Sequence, residues 1–243
     1  MLTLGFFFIA LLYSIVGFGG GSSYLALLAI AEIPYELMPR LSLICNLLVV
    51  SGGCWHYYRN GNFNKRRVLP FVLSSVPFAF LGGLYPISEQ TFMTLLAVSL
   101  LIAGIRLLFV RKTESELVTP PSALSSFFIG SCLGLLSGLV GLGGGIFLSP
   151  IMLNFKWGKP KEVAATASTF IFLNSLAGLG GQFLKSNQPD LLSFWPLFLA
   201  VLAGGQIGSY ISNHKKISHL FVQRGTAILI LIIGSRILYK LFF

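Results

Sequence analysis

Charged residues fall in short clusters along this chain, and between them run long uncharged stretches at 1–31, 68–88, 117–155, 163–184 and 191–213. A helix needs roughly 20 apolar residues to cross a bilayer. On that measure the pattern predicts full spans at 40–58, 68–87, 91–110, 163–184, 191–212 and 223–242. Ahead of each set of three lies a longer apolar segment broken by glycine, at 2–31 and 122–155. The apolar runs are continuous rather than alternating, which argues against a membrane β-barrel.

The two breaks are nearly the same sequence. Gly17-Phe18-Gly19-Gly20-Gly21 interrupts the first, and Gly141-Leu142-Gly143-Gly144-Gly145 interrupts the second, Gly17 and Gly141 being 124 positions apart. A second block follows in the same order: Asn46 with Gly52-Gly53 reads against Asn174 with Gly180-Gly181, Asn46 and Asn174 being 128 positions apart. Two aligned blocks point to an internal duplication. Glycine-broken segments at matching places in two halves are also the best sequence pointer to a transporter's binding site.

Loop charges then set the expected topology. Arg59, Lys65, Arg66 and Arg67 place the 59–67 loop in the cytoplasm, and Arg111 and Lys112 return the chain there after the third span. If 122–155 crossed once, Lys156, Lys159, Lys161, Lys215, Lys216 and Arg224 would all lie outside. If it enters and turns back, all six fall inside. The same rule applied to 2–31 puts Glu32 and Glu36 outside. Each half then crosses an odd number of times, so the halves are inverted. The fold class expected is an all-α polytopic membrane protein of two inverted repeats. Each repeat is a glycine-broken helical hairpin plus three transmembrane helices, roughly 8–10 helical segments in total. The repeats are expected at 1–112 and 122–243, joined by a cytoplasmic linker at 113–121 that carries Pro120 and Pro121.

Composition agrees with this and removes several function classes. The 243 residues are 55% hydrophobic and 10% charged, with a mean hydropathy of +0.83; a soluble domain carries about 25% charged residues. The net charge of +10 comes from short loops, as the positive-inside rule requires, so nucleic acid is not an expected partner. The N-terminal apolar stretch lacks a basic n-region, and its glycine break recurs internally, so it is expected to be retained rather than cleaved. Cys45, Cys54 and Cys132 lie in apolar spans with no metal-ligand spacing, so no metal and no cofactor are expected. All seven acidic residues sit in loops or at span ends, leaving no carboxylate in mid-membrane for a proton or sodium ion. His56, His214 and His219 have no nucleophile or carboxylate at a recognisable spacing. No catalytic residue is assigned, and an enzyme is not expected.

The glycine breaks and a few polar positions carry what chemistry remains. Irregular backbone at membrane depth survives inside protein or along a wet cavity. Helical pieces restarting after the glycines would present N-termini with free N–H groups and the positive end of the helix dipole. Two such ends facing one another would bind an anion without a buried cation. The candidate substrate-binding residues are Gly19, Gly20, Gly21, Ser22, Ser23, Asn46, Gly143, Gly144, Gly145, Thr166, Ser168 and Asn174. Ser22 and Ser23 are expected to cap the first restarted piece. Ser42 lies four residues before Asn46, on the same helix face. Arg40 is expected to snorkel at the outer interface. The competing reading of the glycines and asparagines is tight helix packing and interhelical hydrogen bonding.

With these residues in view, the chain resembles the sulfite exporter TauE/SafE family over nearly its full length. The resemblance rests on the paired glycine runs, on Ala164-Ala165-Thr166-Ala167-Ser168 followed by Asn174, and on the duplicated layout. Pro39-Arg40-Leu41-Ser42 departs from the Ala-rich Thr/Ser segment common at that place. The resemblance implies a small sulfur-containing anion as substrate, such as sulfite, a sulfonate or an organosulfonate. The expected partners are that anionic substrate, the lipid bilayer and a second copy in a homodimer, and the expected location is the cell (inner) membrane, multi-pass. Export by alternating access suits the physics, since one negative charge leaving a cell whose interior is negative by about 100 mV gains about 2.3 kcal/mol. The alternatives are an importer of a sulfonate, thiosulfate or other metabolite, or a membrane scaffold that transports nothing.

Overall fold

The computed structural model describes residues 1–61, 63–109, 119, 121–185, 190–214 and 219–242. The expected linker, apart from Thr119 and Pro121, lies outside the described residues, as do Arg111, Lys112, Lys215 and Lys216. The described chain is helical throughout, without strands. Its ten α-helices are α1 (Leu2–Val16), α2 (Gly21–Ile30), α3 (Met38–Arg59), α4 (Lys65–Leu84), α5 (Glu89–Leu108), α6 (Ala123–Val140), α7 (Gly145–Asn154), α8 (Pro160–Phe183), α9 (Trp195–His214) and α10 (His219–Phe242). A 3-10 turn at Leu192–Phe194 leads into α9. Seven of the described helices, α3 to α6 and α8 to α10, are long and apolar enough to cross a membrane. The protein is an all-α polytopic membrane protein.

Local chemistry sets many of the helix starts. Asn64 accepts from the Arg66 N–H at 3.1 Å, Ser88 from Thr91 at 3.2 Å and Ser122 from Ser125 at 3.1 Å, so α4, α5 and α6 each begin on a side-chain cap. Proline stands in the first turn of α3 (Pro39) and α8 (Pro160), where its missing N–H costs nothing. In α8 the Glu162 carboxylate also reaches back to the Lys159 N–H, 2.9 Å away.

Each glycine-broken pair turns back on itself. A Cβ built on Gly5 near the start of α1 would stand 2.8 Å from Leu27 near the end of α2. Ahead of α6, the Thr119 N–H donates to the Lys156 carbonyl just past the end of α7, at 3.1 Å. The backbone of the two pairs corresponds closely. Gly17 and Gly141 have φ +82° and +88°, Gly20 and Gly144 have +89° and +77°, and Glu32 and Lys156 have +54° and +56°, each couple 124 residues apart. Packing partners correspond as well: α6 lies along α4 as α1 lies along α9, α8 lies on α4 as α3 lies on α9, and α3 crosses α8 while α5 crosses α10.

Glycine stripes make the helix contacts close. A Cβ at Gly134 or Gly138 of α6 would overlap the backbone of Ser75 or Ala79 in α4. One at Gly204 or Gly208 of α9 would overlap the carbonyls of Phe7 or Leu11 in α1. Such backbone-to-backbone approach is how helices associate where lipid is as apolar as leucine. Outward, large apolar side chains such as Phe8, Leu73, Ile102, Phe127 and Ile232 are exposed, a surface suited to hydrocarbon.

Candidate functional site

The breaks after α1 and α6 follow one design. α1 ends at Gly17 in the left-handed region, where the Phe18 N–H reaches back to the Tyr13 carbonyl at 2.9 Å. α6 also ends on a left-handed glycine, Gly141, whose own N–H donates to the Ser137 carbonyl at 2.8 Å. α2 and α7 restart within four residues, with Gly20 and Gly144 as N-caps, again at positive φ. Only glycine takes this conformation without a Cβ penalty. A helix N-terminus at each break leaves backbone N–H groups without intrahelical acceptors.

The two breaks meet, and Asn46 lies at their junction. A Cβ on Gly19 would stand 2.5 Å from Asn46 Oδ1, and one on Gly143 2.7 Å from Asn46 Nδ2. A Cβ on Gly21 would stand 2.7 Å from Asn46 Nδ2 and 2.8 Å from the Leu142 carbonyl. Three glycines from two halves of the chain are therefore bare where this amide approaches. Asn46 is 0% exposed, and neither atom of its amide has a hydrogen-bond partner among the described residues. Leaving a buried amide unsatisfied costs about 1–3 kcal/mol, so packing alone does not account for an asparagine at this place.

From α8 it is Ile171, rather than Asn174, that lies against the turns: its Cγ2 would be 3.1 Å from a Cβ on Gly19 and 3.0 Å from one on Gly143. Asn174, one turn further along α8, is also fully buried with both amide atoms unpartnered among the described residues. Phe170 stands against Gly144, and the Tyr24 ring against Gly20. The walls are thus apolar or neutral, and no ionised side chain stands among the residues just named.

Two serines hold the turns across the halves. Ser42, one turn before Asn46 on α3, donates to the Gly141 carbonyl at 2.7 Å and lies 3.3 Å from the Gly21 carbonyl. Ser168 on α8 donates to the Gly17 carbonyl at 2.8 Å. Tyr57 closes over the same turn, its hydroxyl 2.7 Å from where a Gly17 Cβ would be.

The remaining candidates go elsewhere. Ser22 and Ser23 do not cap α2, because Gly20 occupies the N-cap; their hydroxyls lie 3.3 and 2.7 Å from the Tyr13 hydroxyl and tie α2 to α1. Thr166 donates back to the Glu162 carbonyl one turn earlier, 2.8 Å away. Gly145 stays at the junction, against Ile171. Arg40 does not snorkel. It is 2% exposed, and its Nη2 donates to the Gln182 carbonyl at 2.9 Å, since the last turn of α8 offers carbonyls without intrahelical donors. Tyr13, Ile171 and Tyr57 were not legible as site residues, because nothing local marks an aromatic or aliphatic position in a membrane helix. Ser42 carried a signal, its spacing of four from Asn46.

This arrangement turns neutral N–H donors and two helix N-termini towards one place, a chemistry suited to a small anion. Among the described residues no three His, Cys, Asp or Glu side chains gather as metal ligands.

Known proteins resemble the whole chain. Residues 2–237 match the family described as "Sulfite exporter TauE/SafE". The "Probable membrane transporter protein y4hK" of Sinorhizobium fredii is 31% identical over 98% of this chain and 97% of its own length. The "Probable membrane transporter protein YunE" of Bacillus subtilis is 24% identical over 93% of this chain and 92% of its own.

Proposed function

The chain belongs to the sulfite exporter TauE/SafE family of membrane transporters, and on that footing we propose that it carries a small sulfur-containing anion, sulfite or a sulfonate, out of the cell by alternating access. The observation that supports this most is the Asn46 amide, buried and unpartnered at the junction of two glycine breaks and two helix N-termini. A three-oxygen anion there would accept from the amide Nδ2 and from free backbone N–H groups. It would gain charge-assisted hydrogen bonds without a buried cation that would have to be paid for when the site empties.

Alternating access needs a site that opens to each face in turn. In this reading the halves are inverted repeats, and each glycine hairpin is one gate. Supporting it are the matched positive-φ positions, the return of each hairpin to its starting end, and the exchange of packing partners between halves. The Ser42–Gly141 and Ser168–Gly17 hydrogen bonds then act as clasps on the two gates. Arg59, Lys65, Arg66, Arg67, Lys156, Lys159 and Lys161 gather at one end, as the Arg67–Glu162 ion pair shows for the α4 and α8 starts, and that end is read as cytoplasmic in a cell membrane. Export follows the membrane potential and needs no coupled cation. Selective flux of sulfite or a small sulfonate by the purified protein in proteoliposomes is the test.

A further inference from the structure

Asn46, Val50, Gly53 and Tyr57 of α3 follow one another at spacings of four, three and four, so they share one helix face. That face runs from the junction towards the basic end of the molecule. Tyr57 stands about 16 Å of helix rise beyond Asn46, two residues before Arg59. A long helical side chain leans back over the preceding turn. The Tyr57 ring does so: its Cε2 is 4.0 Å from where a Gly53 Cβ would be, and its hydroxyl is 2.7 Å from where a Gly17 Cβ would be. Ala164 of α8 meets that second point at 3.3 Å, and Ser168, one turn on, holds the Gly17 carbonyl. The first break, α3 and α8 therefore close on one another on the basic side of the junction, and Tyr57 is the α3 share of the closure.

The closures on the two sides differ in kind. At Gly141 the neighbour is backbone: the Pro39 Cα and carbonyl oxygen would stand 2.6 and 2.9 Å from a Cβ, and Ser42 bonds the Gly141 carbonyl. Opening there requires a helix or a hairpin to move. At Gly17 the nearest atom is the outer end of a half-buried tyrosine, which turns about its side-chain torsions with the backbone at rest. Beneath the ring there is room. A Cβ at Gly53 would meet, among the described residues, nothing closer than Ser168 Oγ at 3.7 Å. Exposed Arg59, Lys65, Lys159 and Lys161 gather at the end of the molecule just beyond, a field that concentrates anions.

We propose that Tyr57 is a thin gate on the cytoplasmic side of the Asn46 junction. Its side chain swings away from Gly17 while both serine clasps stay closed, and an anion enters past Gly53 and Val50 before either hairpin moves. The inference rests on the anion-transport reading for what enters and for which end is cytoplasmic; the gate itself is read from the packing. Loading then takes one side-chain rotation and release to the outside takes a hairpin movement, which orders the two steps of export.

The test is labelling of a cysteine placed beneath the ring, Gly53→Cys, in a protein carrying Cys54→Ala and Cys132→Ala, with Cys45 left in its fully buried place. The native Cys54 is followed in the same way in a protein carrying Cys132→Ala alone, as a second reporter. The reagent is the membrane-impermeant 2-sulfonatoethyl methanethiosulfonate, applied to inside-out and to right-side-out membrane vesicles. Labelling proceeds through the open fraction, so Tyr57→Ala should speed it at least about tenfold in inside-out vesicles and leave it slow in right-side-out ones. Tyr57→Phe, which keeps the ring, should stay within about threefold of the parent. Tyr57→Leu is made alongside Tyr57→Ala, so that the comparison survives the misfolding of either. The gate is overturned if neither variant labels faster at either cysteine, if Tyr57→Phe speeds labelling as much as they do, or if the acceleration appears only in right-side-out vesicles. Methanesulfonate flux by the same proteins separates this from the transport reading. Accelerated labelling without flux would count against the anion and keep the gate, whereas flux without accelerated labelling would sink the gate alone.

Discussion

Ser42 of α3 donates its hydroxyl to the carbonyl of Gly141, 2.7 Å away and 99 residues later in the chain. That carbonyl ends α6, where the left-handed glycine leaves it without an intrahelical donor. Ser168 of α8 does the same for Gly17 at the end of α1. Each long central helix therefore clasps the glycine break of the other half, with Asn46 one turn below the first clasp.

Replacing Ser42 or Ser168 by alanine strands a buried carbonyl. Each change should cost about 1–3 kcal/mol, seen as a lower melting temperature in detergent. Ser42→Thr, which keeps the hydroxyl, should recover part of the loss. An Ser42→Ala protein as stable as the wild type would mean that the clasp contributes nothing.

Asn46→Ala removes the amide without filling the space at the glycines. The half-saturation concentration for the anion should rise about ten- to hundredfold, the loss expected for a hydrogen bond to a charged group. Asn46→Asp should abolish flux, because a carboxylate there would repel the substrate. If Asn46→Ala lowers only the melting temperature, with affinity unchanged, the amide is structural.

Gly20→Leu and Gly144→Leu place a side chain at φ +89° and +77°, with the Cβ 3.0 Å from the Tyr24 ring and 2.8 Å from the Phe170 ring. The backbone strain is about 1–2 kcal/mol at each. Flux should be lost while the protein still inserts. Gly180→Ala is the control: its Cβ would meet nothing closer than Phe80 at 3.8 Å, so flux should stay within about twofold of wild type.

Gly138→Leu tests the packing glycines by a different readout. Its side chain would overlap the Ala79 carbonyl and the Gly83 N–H of α4, forcing α6 away. Folded protein recovered after size-exclusion chromatography should fall sharply. Recovery at wild-type levels would show that the α4–α6 contact can relax.

Much of the fold could be read from residue order because lipid imposes a simple requirement. A run such as 163–184 must be helical to satisfy its own backbone, and α8 spans Pro160–Phe183. Its start lies three residues earlier than the apolar run, because Pro160 and the Glu162 cap carry the helix into the charged loop. The breaks at Gly17–Gly21 and Gly141–Gly145 were legible because only glycine sustains those turns. What could not be read was who answers whom across the chain. Ser22 and Ser23 sit after Gly20 as capping residues would, yet a tyrosine nine and ten residues earlier takes their hydroxyls. Arg40 sits at a span end like a snorkelling cation, yet the end of α8, 142 residues on, draws it inward. Asn46 and Asn174 match in sequence, but Ile171 holds the place beside the glycines that symmetry would give to Asn174.

The measurement that bears most directly on the central claim is anion flux in proteoliposomes under an imposed potential. Sulfite, methanesulfonate, sulfate and chloride are compared for the wild type and Asn46→Ala. The account predicts selective flux of sulfite or methanesulfonate that follows the potential and saturates, with Asn46→Ala requiring about ten times more substrate. Folded wild-type protein that moves none of these anions, or moves them equally well without the Asn46 amide, would contradict it.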